Sequence, residues 1–180
     1  MRVLKATENS VLWLAQMTPA AMESLHREAE MSDVSKERLI FAPRVASNAD
    51  HLARIRNADL FLDTLTYNGH ATTNDALWAG VPVLTCLGSA FAGRVAASQL
   101  NAASLSEFVT TSLESYEALA LKLAHNPSLI AAFKDKLALH RERLFNTVRF
   151  TRHIESAYAA MRDRHQRQEK SQSFAVEPID

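Results

Sequence analysis

Glycine is scarce in this chain, four in 180 residues, and none of the four builds a GxGxxG dinucleotide fingerprint or a GxxxxGKS/T phosphate loop. Ordinary Rossmann dehydrogenases and P-loop NTPases are thereby disfavoured. Cysteine is scarcer still: Cys86 is alone and cannot close an internal disulfide, so at the end of its apolar run it reads as a buried thiol in a reducing cytoplasm. No run of roughly 18 apolar residues occurs, and Met1-Arg2-Val3-Leu4-Lys5 lacks the apolar core of a signal peptide. A soluble, cytoplasmic protein is expected, without a membrane partner. Excess charge is missing too, because 20 basic and 20 acidic residues cancel and leave no global field for nucleic acid. His26, His125, His140, His153 and His165 fall on predicted helices without ligand spacing, so no metal is expected. Binding must therefore come from a local site.

What is present is an alternation of short apolar runs with amphipathic segments. Val11–Leu14 has the length of a buried parallel strand, and Thr18-Pro19 starts a helix over 19–30. Residues 36–41 end in a second strand broken by Pro43, and Ser47-Asn48-Ala49-Asp50 caps a helix running to about Arg56. Leu60–Leu62 and Val83–Thr85 are the next strands, around a helix over Thr72–Ala79 that Gly80-Val81-Pro82 stops. A helix over Phe91–Leu100, a short strand at Glu107–Val109 and helices over 112–125, 128–143 and 150–168 complete the pattern. Trp13 and Trp78 read as core. The fold class is α/β: a Rossmann-like parallel sheet with flanking helices, followed by C-terminal helices. Residues 1–165 form the binding domain, and 166–180 a flexible polar tail. Residues 1–10 read as the end of a helix feeding the first strand, which implies that the chain begins inside a domain, with an earlier strand missing.

The polar residues gather where the strand at Leu60–Leu62 gives way to a helix. In a parallel sheet this is the ligand-binding edge, and a first helical turn offers free N–H groups and a positive dipole to an anion. Thr72 as N-cap with Asp75 at N3 fits a capping box, which needs no ligand. Gly69 and His70 stand outside that explanation. Taken together, Gly69, His70, Thr72, Thr73 and Asp75 fit a diphosphate and ribose site, with N–H groups for phosphate and a carboxylate for hydroxyls. His51 and Arg54 lie three apart on the preceding helix, so they share one face; either that face is merely solvated, or it reaches a base bound across adjacent loops. Arg94 is a third-loop contact or an ordinary ion-pair partner.

These motifs, in this order, resemble a known family. Asp63-Thr64, Asn68-Gly69-His70, the run Asp75–Val83 and Arg94-Val95-Ala96-Ala97-Ser98 are similar to the C-terminal catalytic lobe of the O-GlcNAc transferases, including bacterial relatives with tetratricopeptide repeats. The similarity runs from about Val3 to Met161. It implies a GT-B fold, no required metal or other cofactor, and UDP-N-acetylglucosamine as donor. Carried over by motif, it implies that His51 packs on uracil and Arg54 contacts the base. Asp75 would bind ribose, the turn His70-Ala71-Thr72 would cradle the diphosphate, and the backbone near Ala46 would meet the uracil edge. Ala71 departs from the family's His-Thr-Thr, a hydroxyl that Thr73 or a backbone N–H would replace.

The expected function is a partial O-GlcNAc-transferase-like lobe that binds UDP-GlcNAc for transfer to protein Ser or Thr, inactive without the N-terminal lobe. Its partners would be a protein acceptor and a separate N-terminal lobe or a chain bearing tetratricopeptide repeats. The alternative is a non-catalytic nucleotide-binding or scaffold remnant. A nucleotide-sugar epimerase of related fold is a third reading, which no residue here supports directly.

Overall fold

In a computed structural model, residues 1–177 are described; the last three residues of the predicted tail lie outside the described residues. The chain divides into two compact units, one spanning Met1–Arg141 and one beginning at Glu142. The first carries the five strands found among the described residues: β1 (Leu12–Ala15), β2 (Leu39–Ala42), β3 (Phe61–Leu62), β4 (Val83–Cys86) and β5 (Val109–Thr110). Helices precede, join and follow them: α1 (Arg2–Ala6), α2 (Pro19–Met31), α3 (Asn48–Ile55), α4 (Ala71–Ala79), α5 (Val95–Ala102), α6 (Leu113–Ala124) and α7 (Pro127–Phe145). The second unit contains α8 (Thr147–Gln166), after which residues 167–177 form no helix or strand. No helix among the described residues is long and apolar enough to cross a membrane.

Every strand pair is parallel. One sheet has the order β1-β2 and the other β3-β4-β5. Parallel pairing follows from the alternation of strand and helix, since two parallel neighbours need a crossover between them. β4 is the best covered strand: Val83, Leu84 and Thr85 are buried in succession, which requires apolar cover on both faces. α4, α5 and α6 pack on β4, and Leu77, Val81, Leu100, Leu105, Phe108, Leu123 and Leu137 are likewise essentially inaccessible. Each such side chain contributes about 1.5–3 kcal/mol of transfer free energy. A second cluster, Leu4, Ala29, Val34 and Leu39, seals α1 and α2 onto the β1-β2 sheet.

Local signals act where the sequence places them. Thr18 Oγ1 accepts from the Ala21 N–H with Pro19 in the first turn, and Ser47 Oγ accepts from the Asp50 N–H. Gly80 takes φ 84° at the end of α4, a left-handed conformation that costs a β-carbon-bearing residue about 1 kcal/mol. Two expectations need correction. The helix predicted over Phe91–Leu100 is a 3-10 turn at Phe91–Gly93 followed by α5, because Gly93 packs backbone to backbone on Gly88, whose N–H donates to the Gly93 carbonyl at 2.7 Å. Trp78 is not core: it is 47% exposed on the outer face of α4, where the Arg141 guanidinium stands 6.0 Å from its ring. Trp13 is half-buried.

Candidate functional site

β3 ends at a buried carboxylate. Asp63 is 4% exposed; its Oδ1 accepts the Gly69 N–H at 2.6 Å, and its Oδ2 accepts the Thr85 hydroxyl at 2.6 Å. The Tyr116 hydroxyl donates to its backbone carbonyl at 3.0 Å. One side chain thus ties the end of β3, the turn before α4 and the middle of β4 together. Asn68 fastens the same turn to the loop before α5: its N–H donates to the Ala92 carbonyl at 2.9 Å, while its side-chain amide donates to the Thr64 carbonyl at 3.0 Å. Gly69 is required by space, because a β-carbon there would stand 2.5 Å from Thr72 Oγ1 and 2.7 Å from Thr73 Oγ1.

The turn delivers α4 with an open N-terminus. The helix starts at Ala71 with His70 as N-cap and no side-chain cap, so the expected capping box of Thr72 and Asp75 does not form. With the N-cap at His70, two residues before Thr72, Asp75 falls in the second turn, out of reach of the cap N–H. The first intrahelical bond is from the Asn74 N–H to the His70 carbonyl at 3.1 Å. The N–H groups of Ala71, Thr72 and Thr73 therefore form the positive end of the dipole. Ala71 and Thr72 are exposed. Thr73 is buried, and its Oγ1 has no hydrogen-bond partner among the described residues; the same holds for Asn68 Oδ1 and Gln99 Oε1. The Gln99 side-chain amide holds the turn from the other side, donating to the His70 carbonyl at 3.2 Å. The His70 ring stacks on Tyr67 at 4.9 Å and meets Phe91 edge-on at 6.2 Å.

The preceding helix closes on this turn. His51 on α3 reaches across to Asp75 on α4, Nε2 to Oδ2 at 3.8 Å, each side chain about one-third exposed. Arg54 stands behind His51: one guanidinium nitrogen lies 3.2 Å from His51 Nδ1 and another donates to the Pro43 carbonyl. Guanidinium only donates, so His51 Nδ1 accepts and the proton of the neutral ring sits on Nε2, facing Asp75. Ala46 is exposed in the β2–α3 turn, immediately before the Ser47 N-cap. The structure thus joins His51, Arg54 and Asp75 in one polar chain and sets His70, Ala71, Thr72 and Thr73 in one helix start. Arg94 is exposed as the N-cap of α5, and no carboxylate pairs with it among the described residues.

Asp63 and Asn68 stood in recognised motifs but without a role, and Thr85, Gln99 and Tyr116 carried no sequence signal as members of the site. Their partners lie between 4 and 53 positions away. Burial drives the Tyr116 phenol well above the ordinary tyrosine range, reinforced by the nearby charges of Asp63 and Cys86. The sign is that of an acid whose folded pKa is raised: below about pH 10 both states keep the proton, and above it only the unfolded state releases it. Stability therefore declines as pH rises past about 10. Urea unfolding midpoints measured from neutral to alkaline pH should fall less steeply in Tyr116→Phe, which itself costs about 1 kcal/mol for the lost hydrogen bond. Parallel curves for the two proteins would refute this assignment.

An anion-seeking helix start, a carboxylate and a stackable imidazole backed by guanidinium thus occupy the carboxyl edge of a parallel sheet. Comparison with known proteins points the same way. Residues 1–154 match Glycosyl transferase family 41. The chain is 36% identical over 177 residues to the probable UDP-N-acetylglucosamine–peptide N-acetylglucosaminyltransferase SEC of Arabidopsis thaliana, covering 97% of this chain and 18% of that protein. It is 29% identical over 168 residues to the Caenorhabditis elegans UDP-N-acetylglucosamine–peptide N-acetylglucosaminyltransferase, covering 92% of this chain and 14% of that one. A solved structure, a Thermobaculum terrenum O-GlcNAc transferase mutant, superposes with a TM-score of 0.79 at 33% identity over 89% of this chain and 32% of its own. The chain belongs to glycosyl transferase family 41, as a C-terminal catalytic-lobe segment of the O-GlcNAc transferase type with the α/β architecture of the GT-B fold.

Proposed function

We propose that this chain holds the donor UDP-N-acetylglucosamine for transfer of the sugar to a protein Ser or Thr hydroxyl. The observation that carries this reading is the convergence of His51 and Arg54 with Asp75, on the helix whose first N–H groups are unclaimed. In this reading the His51 ring packs on the uracil and Arg54 donates to its carbonyls, while the backbone near Ala46 meets the base edge. Asp75 accepts the ribose hydroxyls. The N–H groups of Ala71, Thr72 and Thr73, with the exposed Thr72 hydroxyl, receive the diphosphate. His70 flanks the phosphates.

The chemistry assigned to these groups is stabilisation of the leaving group. As the acceptor oxygen attacks the anomeric carbon, the bond to the UDP oxygen breaks and its electron pair moves onto the diphosphate, where helix N–H groups already aimed at that position stabilise it. In this reading the helix dipole and the first N–H groups of α4 supply the positive potential, and neither a metal nor another cofactor is needed. The groups that hold the acceptor and take its proton come from outside these 180 residues, from an N-terminal lobe or a chain bearing tetratricopeptide repeats, in a cytoplasmic setting. Transfer then needs both parts together, because proximity and orientation can supply several kcal/mol of the barrier reduction.

The test is calorimetric titration of the purified chain with UDP and UDP-GlcNAc, beside a His51→Ala/Asp75→Ala variant. Saturable binding that the variant weakens by about tenfold or more is the expected result, from the loss of about 1.4 kcal/mol or more of polar contact. A folded chain that takes up no nucleotide at millimolar concentration would make a non-catalytic scaffold the better reading.

A further inference from the structure

The two aromatic rings that touch His70 belong to no core. Tyr67 is 64% exposed and Phe91 75%, so neither removes much apolar surface from water, and burial does not account for their placement. Yet Tyr67 lies over the His70 imidazole with centroids 4.9 Å apart and planes 14° from parallel, while Phe91 meets the same ring at 90°. A stack of this kind fixes the plane of the imidazole, because rotation about its χ2 would break the face-to-face contact.

The backbone is bent to bring Tyr67 there. Thr66 takes φ 68°, in the left-handed region that a β-branched residue enters only when its surroundings compel it. The Thr64 hydroxyl donates to the Tyr67 carbonyl at 2.6 Å and closes the turn; the next N–H, that of Asn68, donates to the Ala92 carbonyl at 2.9 Å. A β-carbon on Gly93 would stand 3.3 Å from the Thr66 carbonyl oxygen, so the loop after β3 lies directly against the loop after β4. The same Ala92 carbonyl is 3.5 Å from His70 Nε2. A carbonyl only accepts, so Nε2 carries the proton in this contact. At 3.5 Å the bond is at its long limit, and the proton is directed without being tightly held. Among the described residues the imidazole makes no other hydrogen bond.

We propose that Tyr67 is a positioning residue for diphosphate binding: its ring sets the plane of His70, so that the imidazole Nε2–H passes from the Ala92 carbonyl to a phosphate oxygen without the ring having to reorient. The assignment rests on the donor reading, in which His70 flanks the phosphates at the start of α4. A phosphate oxygen is the stronger acceptor of the two, since a charged partner shortens and strengthens the bond. Phe91, edge-on to the same ring, limits its swing further. Exposed rings on a strained turn then have a physical purpose, because a donor already held in its bound orientation loses little freedom when the ligand arrives.

Titration of the whole chain with UDP and with uridine tests this. Tyr67→Ala should weaken UDP by about tenfold or more, as expected for losing a hydrogen bond to a charged acceptor, and leave uridine within about twofold. Tyr67→Phe keeps the flat face and should bind UDP like the wild type. Tyr67→Leu, with bulk but no ring, should lose UDP affinity as alanine does, and it carries the test should the alanine variant fold poorly. In a His70→Ala background Tyr67→Ala should cost nothing further, because a positioning residue acts through the group it positions. The His70 ring protons should also move downfield in the alanine and leucine variants, with the shielding face gone. Equal losses for UDP and uridine, unchanged UDP affinity in Tyr67→Ala and Tyr67→Leu, failure of Tyr67→Phe, or an additive loss in the His70→Ala background would each overturn the assignment and leave the donor reading in place. A folded wild-type chain that binds no UDP would overturn both.

Discussion

Asp63→Ala should lower the unfolding free energy by about 3–5 kcal/mol, the largest loss expected from any single truncation in the site. Two donors, the Gly69 N–H and the Thr85 hydroxyl, end on its two oxygens, and Thr85 is fully buried. Hydrogen bonds to a charged acceptor contribute about 1.5–3 kcal/mol each, and a buried donor left without water keeps its full desolvation penalty. At roughly 2–4 °C per kcal/mol for a chain of this size, the melting temperature should fall by about 6–20 °C. Asp63→Asn should be far milder, near 1 kcal/mol, since the amide oxygen still accepts from Gly69 and the amide N–H can meet Thr85 Oγ1 as an acceptor. Urea unfolding of the three proteins measures this directly, and an alanine variant within 1 kcal/mol of the wild type would contradict the assigned role.

Gly69→Ala should separate stability from binding. The new β-carbon would stand 2.5 Å from Thr72 Oγ1 and 2.7 Å from Thr73 Oγ1, with Asp63 Oδ1 at 3.3 Å. Thr72 is exposed and can rotate its hydroxyl away, but Thr73 is buried and, being β-branched, has few alternative rotamers. The turn must therefore shift, at about 1–3 kcal/mol. Because the same turn aims the first N–H groups of α4, UDP affinity should drop by about tenfold or more, as preorganised donors lose their alignment. Adding Thr72→Ala and Thr73→Ala removes both offending oxygens, so the triple variant should recover stability without recovering affinity. Unchanged stability in Gly69→Ala, or nucleotide binding equal to the wild type, would show that the turn is not under this constraint.

Much of the fold was legible because its signals are local. The short apolar runs at Val11–Leu14 and Val83–Thr85, Pro19 in a first helical turn, Ser47 as a cap and Gly80 at a helix end each act within one turn or one strand. The N-cap of α4 was misplaced by two residues for the same reason: Thr72 and Asp75 make a valid local capping box, but Gly69 packed under Thr72 and Thr73, and held by Asp63, brings the helix in at Ala71 with His70 as its cap. Trp78 was misjudged because composition cannot tell which face of a short apolar helix looks outward.

The residues of the candidate site divide along the same line. His51, Arg54, His70 and Asp75 were readable as chemistry placed at strand-to-helix junctions, since a parallel sheet brings such junctions to one edge. That His51 meets Asp75, and that Asp63 joins Gly69 to Thr85, follows only from the crossovers that lay α3 beside α4 and β4 beside β3. The sequence alone determined the alternation of strand and helix, the polar cluster after Leu62 and the family likeness, because each is a pattern of neighbouring residues. Tertiary structure decided which donors meet which acceptors and which strands pair, because backbone pairing and buried hydrogen bonds join residues that sequence distance holds apart.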